Sequence, residues 1–235
     1  MSTFLDIAEP LRKADLPLPT LNVLTPDAYY YEVLAIQSKG EIELHNDFTG
    51  PADLPLAKRK FSGFVKSAVE NDFDLVLSPE YSYPWDVLVE AIEREKLPKF
   101  GKMWAFGCES ITPQNLDSIK ASLPGIEWIH ETISTAQGNF LDPLCYLPKT
   151  KKASGETVNV GLLQFKTQGI ADRKHAFERD RLICGITTYF PHKFGRAHTV
   201  FECGCPSTMR RGNKPRPVCV DHRTRVSDLV HKRLR

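Results

Sequence analysis

Phe73-Asp74-Leu75-Val76-Leu77-Ser78-Pro79-Glu80-Tyr81 reads as a buried strand that runs into a proline and then presents a carboxylate. Val76 is β-branched, and Phe73, Leu75 and Leu77 leave little room for a solvent face. A short apolar run of this kind fits the central strand of a layered α/β domain. A glutamate just past such a strand sits at a sheet edge, where α/β enzymes build their sites.

The flanking sequence supports the same class. Tyr29 to Gln37 reads as the first strand, rich in aromatic and aliphatic residues. After Pro51, the residues Ala57, Phe61, Phe64, Val65 and Ala68 form one apolar helical stripe, with Lys58, Arg59, Lys66 and Glu70 opposite. Pro84 to Lys96 predicts a second helix with Trp85, Leu88 and Ile92 on its apolar face, and proline suits its first turn. Lys102 to Gly107 predicts a short strand and Gln114 to Ser122 a helix. Pro143 to Pro148 and Val158 to Lys166 predict two strands around a polar turn, Lys149 to Glu156. Strand and helix alternate and then strands dominate, which implies an α/β fold. The expected division is an arm at 1–27 holding four prolines, a domain at 28–205 and a basic tail at 206–235.

Composition bounds the function. The 235 residues suit a single domain with a sizeable core, and 41% hydrophobic with 26% charged residues is ordinary globular usage. No run of eighteen apolar residues occurs, so no membrane partner is expected. Met1 to Asp15 carries acids and lacks the basic-then-apolar order of a secretory signal. Six cysteines without such a signal point to free thiols in a reducing, cytoplasmic setting. The net charge of +2 is uneven: residues 192–235 hold 11 Lys and Arg against 3 Asp and Glu. Such asymmetry marks either a nucleic-acid-binding tail or a segment foreign to the fold.

Lys166 closes an apolar strand in Gln164-Phe165-Lys166-Thr167, at a strand end like Glu80. Together with a downstream thiol they resemble the nitrilase, or carbon–nitrogen hydrolase, superfamily. LVLSPEY matches its apolar-strand-then-Pro-Glu-aromatic pattern, with Glu80 in the glutamate position. Trp104-Ala105-Phe106-Gly107 resembles its strand ending in glycine, and Asp142-Pro143-Leu144-Cys145-Tyr146 the strand before its lysine hairpin. Lys166 falls at the lysine motif, and Glu178 and Gly185 in ERDRLICG resemble the pattern that follows it.

The resemblance covers roughly residues 29–190 and implies a four-layer αββα sandwich, incomplete at its C-terminus. It implies hydrolysis of a small amide, rather than a nitrile, by a Glu-Lys-Cys triad, with Glu178 as support and no cofactor or metal. It further implies a homo-oligomer, or a protein partner covering the incomplete sheet. The cysteine motif departs from the family pattern. Val200-Phe201-Glu202-Cys203-Gly204-Cys205-Pro206 offers a strand and a thiol but no following aspartate. Cys203 is the preferred nucleophile and Cys205 its rival, while Cys184 in an apolar run reads as a core thiol.

Only 32 residues follow Cys203, and the break in composition after Phe190 suggests an out-of-frame or truncated end. Two rival readings concern this region. Cys203, Cys205, Cys219 and His222 form a CxC…CxxH set, but its first pair is closer than zinc sites favour. Arg210, Arg211, Lys214 and Arg216 could contact phosphates, without interleaved aromatics for base stacking. His192 and His198 read as solvent-facing. The other reading keeps Glu80 and Lys166 as relics in a catalytically inactive interaction or sensor module.

Overall fold

The computed structural model describes residues 3–23, 31–37, 40–45, 48–133, 139–169, 176–190, 192–194, 197–199 and 229–234. The chain begins β1 (Thr3–Asp6), α1 (Ala8–Lys13), β2 (Tyr31–Ile36), β3 (Ile42–Leu44) and β4 (Thr49–Pro51). It continues α2 (Leu54–Asn71), β5 (Leu75–Tyr83), α3 (Trp85–Glu93), β6 (Met103–Cys108) and α4 (Pro113–Ser122). Then come β7 (Ile126–Ile129), β8 (Pro143–Leu147), β9 (Lys149–Lys151), β10 (Thr157–Phe165) and α5 (Ala176–Arg181). The remaining elements are β11 (Thr187–Phe190), β12 (His192–Phe194), β13 (Ala197–Thr199) and β14 (Leu229–Leu234). The fold is mixed α/β, as the alternation of strand and helix signals implies.

One eight-stranded sheet organises the chain, in the order β14-β2-β5-β6-β8-β10-β7, with β9 also paired to β10. Strands β2, β5 and β6 are mutually parallel. Strand β8 runs antiparallel to both β6 and β10, so β10 points the same way as β5. That parity decides where the chemistry collects. The C-terminal ends of β5 and β10 and the N-terminal start of β8 all lie on one edge of the sheet.

Apolar clusters cover both faces of the sheet, which is why β5 opens as an unbroken apolar run, Leu75-Val76-Leu77. Val76, Trp104, Phe106, Cys145, Leu163 and Phe165 join one cluster with the apolar residues of α2, α3 and α4. The stripe on α2 is the expected one: Ala57, Phe61, Phe64, Val65 and Ala68 are all buried. Asp53 caps this helix by accepting from Leu56 N, and Asp72 ends it in the left-handed region that aspartate tolerates. Leu75, Met103, Ala105, Tyr146 and Leu162 form the opposite cluster, with Ile7, Leu11, Leu16 and Leu21 from the N-terminal segment. Tyr189 joins this second face from β11, and β1 pairs with β11 in parallel register.

Several elements differ from the sequence expectation. The first strand of the chain is β1, ahead of the tyrosine-rich run. Helix α3 stops at Glu93, where Arg94 and the left-handed Glu95 turn the chain before Lys96. The turn after β8 holds a short strand of its own, β9, which pairs with the start of β10. Strand β7 is an edge element of four residues, too short to show in the hydropathy pattern.

His130, directly after β7, carries a pH consequence. Lys120 Nζ stands 2.9 Å from its Nε2, and an ammonium can only donate, so Nε2 accepts. The neutral ring then donates from Nδ1 to Glu131 O at 2.7 Å. Burial pushes the His130 pKa down, and the Lys120 charge adds to this against the bond to Glu131. The unfolded chain therefore binds this proton more readily than the folded one. Stability from this group is full above about pH 6.5 and falls as the pH drops below it. Thermal melts of the wild type should show that decline, and melts of His130→Gln should lack that part of it.

Candidate active site

The site begins with a departure from regular strand geometry. β5 pairs with β6 in register from Leu75 to Ser78, then shifts before Tyr83. Tyr81 adopts φ 57°, a left-handed conformation uncommon for a residue of its size. Ser82 Oγ donates to Pro79 O at 2.6 Å and stabilises the bend. The bent end of β5 lies directly against β6 at Gly107. A Cβ there would stand 2.6 Å from Glu80 N and closer still to Pro79 O. Only glycine lets Pro79 and Glu80 approach β6 so closely, toward the strands that carry Lys166. Glu80 thus lies within an irregular strand end, where the sequence had placed it just past the strand.

Lys166 follows β10 directly and is 4% exposed. Its Nζ forms an ion pair with Glu80 Oε1 at 2.6 Å and donates to Glu178 Oε1 at 2.8 Å. Asp142 Oδ2 stands 3.8 Å away. Tyr81 OH donates to the same Glu178 oxygen at 3.0 Å, and its ring centroid lies 5.3 Å from Nζ. One ammonium therefore sits among three carboxyl groups and an aromatic face. Burial alone would lower the Lys166 pKa, but Glu80, Asp142 and the bonds to Glu178 and Glu80 outweigh it and raise it. Burial first, and then the neighbouring acidic groups of the site, push the Tyr81 pKa up, so Tyr81 remains a phenol donor.

The carboxylates differ in access. The Glu178 side chain is 1% exposed and that of Glu80 is 23% exposed, so only Glu80 can meet an incoming molecule.

Backbone bonds fix this arrangement. Lys166 N donates to Asp142 O, and Gly185 N donates to Lys166 O. Ile183 N donates to Phe140 O, while Asn139 N and Phe140 N donate to Arg181 O, tying the end of α5 to the approach to β8. Tyr81, Phe140 and Leu182 form a small apolar cluster at the same place. Glu131 accepts from Ile186 N with both oxygens at 3.0 Å and from Thr187 Oγ1 at 2.9 Å. Gly185 fits because a Cβ there would meet Glu131 Oε1 and, at 3.0 Å, Phe165.

Glu80, Lys166 and Glu178, selected from sequence, are thus brought together from β5, β10 and α5. Cys203 and Cys205 lie outside the described residues, as do Cys219, His222, Arg210, Arg211, Lys214 and Arg216. Cys184 is exposed rather than a core thiol, because Leu182 and Ile183 take the buried positions beside it. Asp142 and Tyr81 were not selected. The signals for both were local: an aspartate before a buried strand, and an aromatic residue beside the strand-end glutamate. Among the described residues, no group of His, Cys, Asp and Glu is placed to hold a metal ion. No helix among them is long and apolar enough to cross a membrane. No protein-family model matches this chain, and no curated protein matches it.

Two substitutions test the geometry. Gly107→Ala should destabilise the fold by about 1–3 kcal/mol through overpacking against backbone, read by urea denaturation. Lys166→Met should cost more, about 3–5 kcal/mol, because Glu178 is left buried without its cation.

Proposed function

We propose that this chain is a carbon–nitrogen hydrolase of the nitrilase type, built on the αββα sandwich of that superfamily. The observation that carries the reading is the buried Lys166 ammonium held between Glu80 and Glu178 at the sheet edge. Cys203 is the nucleophile in this reading and a small neutral amide the substrate, with no cofactor. A homo-oligomer or partner subunit completes the sheet.

Each residue type has a defined task. A thiol is mostly protonated near neutral pH, and a nearby ammonium favours its thiolate. Glu80, the accessible carboxylate, takes the thiol proton as sulfur bonds to the carbonyl carbon. Lys166 holds the resulting oxyanion, a role that preorganised charge performs best in a water-poor site. The carbon–nitrogen bond then breaks, and Glu80 returns the proton to the departing amine. Water attacks the thioester, Glu80 accepts its proton, and the acid leaves as the thiol re-forms. Glu178 and Tyr81 keep Lys166 aimed throughout and exchange no proton with substrate.

The full chain should contain one cysteine that iodoacetamide alkylates much faster than the others, mapping to Cys203 and slowed in Glu80→Gln. Turnover of an aliphatic amide should fall about 10²- to 10⁴-fold in that variant. Uniformly slow labelling would favour the inactive interaction module instead. Rapid labelling confined to exposed Cys184 would count against Cys203 as well.

A further inference from the structure

Asp142 has no task in the chemistry above, yet it is the most deeply buried acid of the site, with no exposed surface. Among the described residues, neither of its carboxyl oxygens has a donor directed at it, and Glu80 Oε1, though ion-paired to Lys166, lacks an aligned one. Lys166 Nζ at 3.8 Å is beyond hydrogen-bonding distance of Asp142. The Asp142 and Glu80 carboxyl groups nevertheless converge on the same Lys166 Nζ, at 3.8 and 2.6 Å, and a side-chain hydrogen bond with Glu80 is among the causes that raise the Asp142 pKa. Two ionised carboxylates cannot bond one another, since both only accept. Orphaned buried acceptors are rare and costly, so the pair needs a proton between them.

We infer that Asp142 is a neutral carboxylic acid whose proton is donated to Glu80, which makes it the positioning residue of the general base. The inference rests on the reading of Glu80 as that base. Among the described residues, the groups facing Asp142 are Glu80 from β5, Lys166 after β10 and Glu178 from α5, with the phenol of Tyr81 beside them. Full ionisation would set three carboxylates against one ammonium in a buried space. A proton on Asp142 removes one of those charges and leaves each remaining glutamate paired to Lys166. Burial and the Glu80 charge both push the Asp142 pKa up, against the opposing pull of Lys166. The consequence for catalysis is orientation. The Asp142 hydroxyl and Lys166 hold the Glu80 carboxylate in one rotamer, so its accessible face meets the thiol.

The test is carbon NMR of the full chain labelled with γ-13C-aspartate. One resonance should stay at the carboxylic-acid position between about pH 5 and pH 8 and vanish in Asp142→Asn, since ordinary aspartates are ionised throughout. An Asp142 resonance at the carboxylate position would overturn the inference. Should Asp142→Asn not fold, infrared spectra of the wild type decide it. A protonated C=O stretch that moves on aspartate labelling is expected, and none contradicts the proposal. Positioning has its own readout. Asp142→Asn keeps a donor and should retain the wild-type pH profile of Cys203 alkylation, whereas Asp142→Leu should shift it. Equal shifts in both would remove the positioning role. If the wild type has no fast thiol, the hydrolase reading fails while the NMR result still decides where the proton resides.

Discussion

A single buried ammonium organises this structure. Moving a lysine ammonium out of water costs several kcal/mol, and the ion remains charged in the interior only if its partners are close and well directed. Lys166 has glutamate oxygens at 2.6 and 2.8 Å, the one from Glu178 in an aligned hydrogen bond and the one from Glu80 as a close ion pair. Each glutamate arrives from a different element, so the pairings couple β5, β10 and α5 to one another. The unusual local features follow from that requirement. Tyr81 takes its left-handed conformation, β5 leaves register, and Gly107 lacks a side chain so that Glu80 can approach. On the far side, Gly185 and Glu131 hold the backbone that continues from Lys166 toward β11.

The same geometry divides labour between two chemically identical groups. Glu178 accepts from both Lys166 and Tyr81 and is closed to solvent, which suits a group that fixes a cation. Glu80 shares the cation but keeps part of its surface open, which suits a group that moves protons. In the proposed mechanism, environment rather than residue type separates support from base. Asp142 adds a third environment, buried and without an aligned donor, where the neutral form is favoured.

Much of the scaffold was legible in the sequence because burial leaves periodic traces. The α2 stripe, the continuous apolar run of β5 and the β8–β10 pair could all be read from spacing. The site was legible in part. Glu80 and Lys166 stood out as charges closing apolar strands, and Glu178 through its place in a resembling pattern. Asp142 shows only as an aspartate before a buried strand, because its meaning depends on β8 running antiparallel between β6 and β10. That strand order is not sequential, so no local window reveals it. The bend at Tyr81 was equally silent, since PEY alone does not announce a left-handed residue. Cys184 departs from its reading because an apolar run need not be uniformly buried: Leu182 and Ile183 face inward and Cys184 is exposed.

In the proposed hydrolase, the Lys166 centre activates a thiol for acyl transfer. The most direct test is intact-protein mass spectrometry of the full chain quenched in acid during incubation with a small aliphatic amide. A covalent acyl adduct should map to Cys203, persist in Lys166-containing protein and be lost in Glu80→Gln. An adduct that maps to Cys184, or one unaffected by Glu80→Gln, would contradict it.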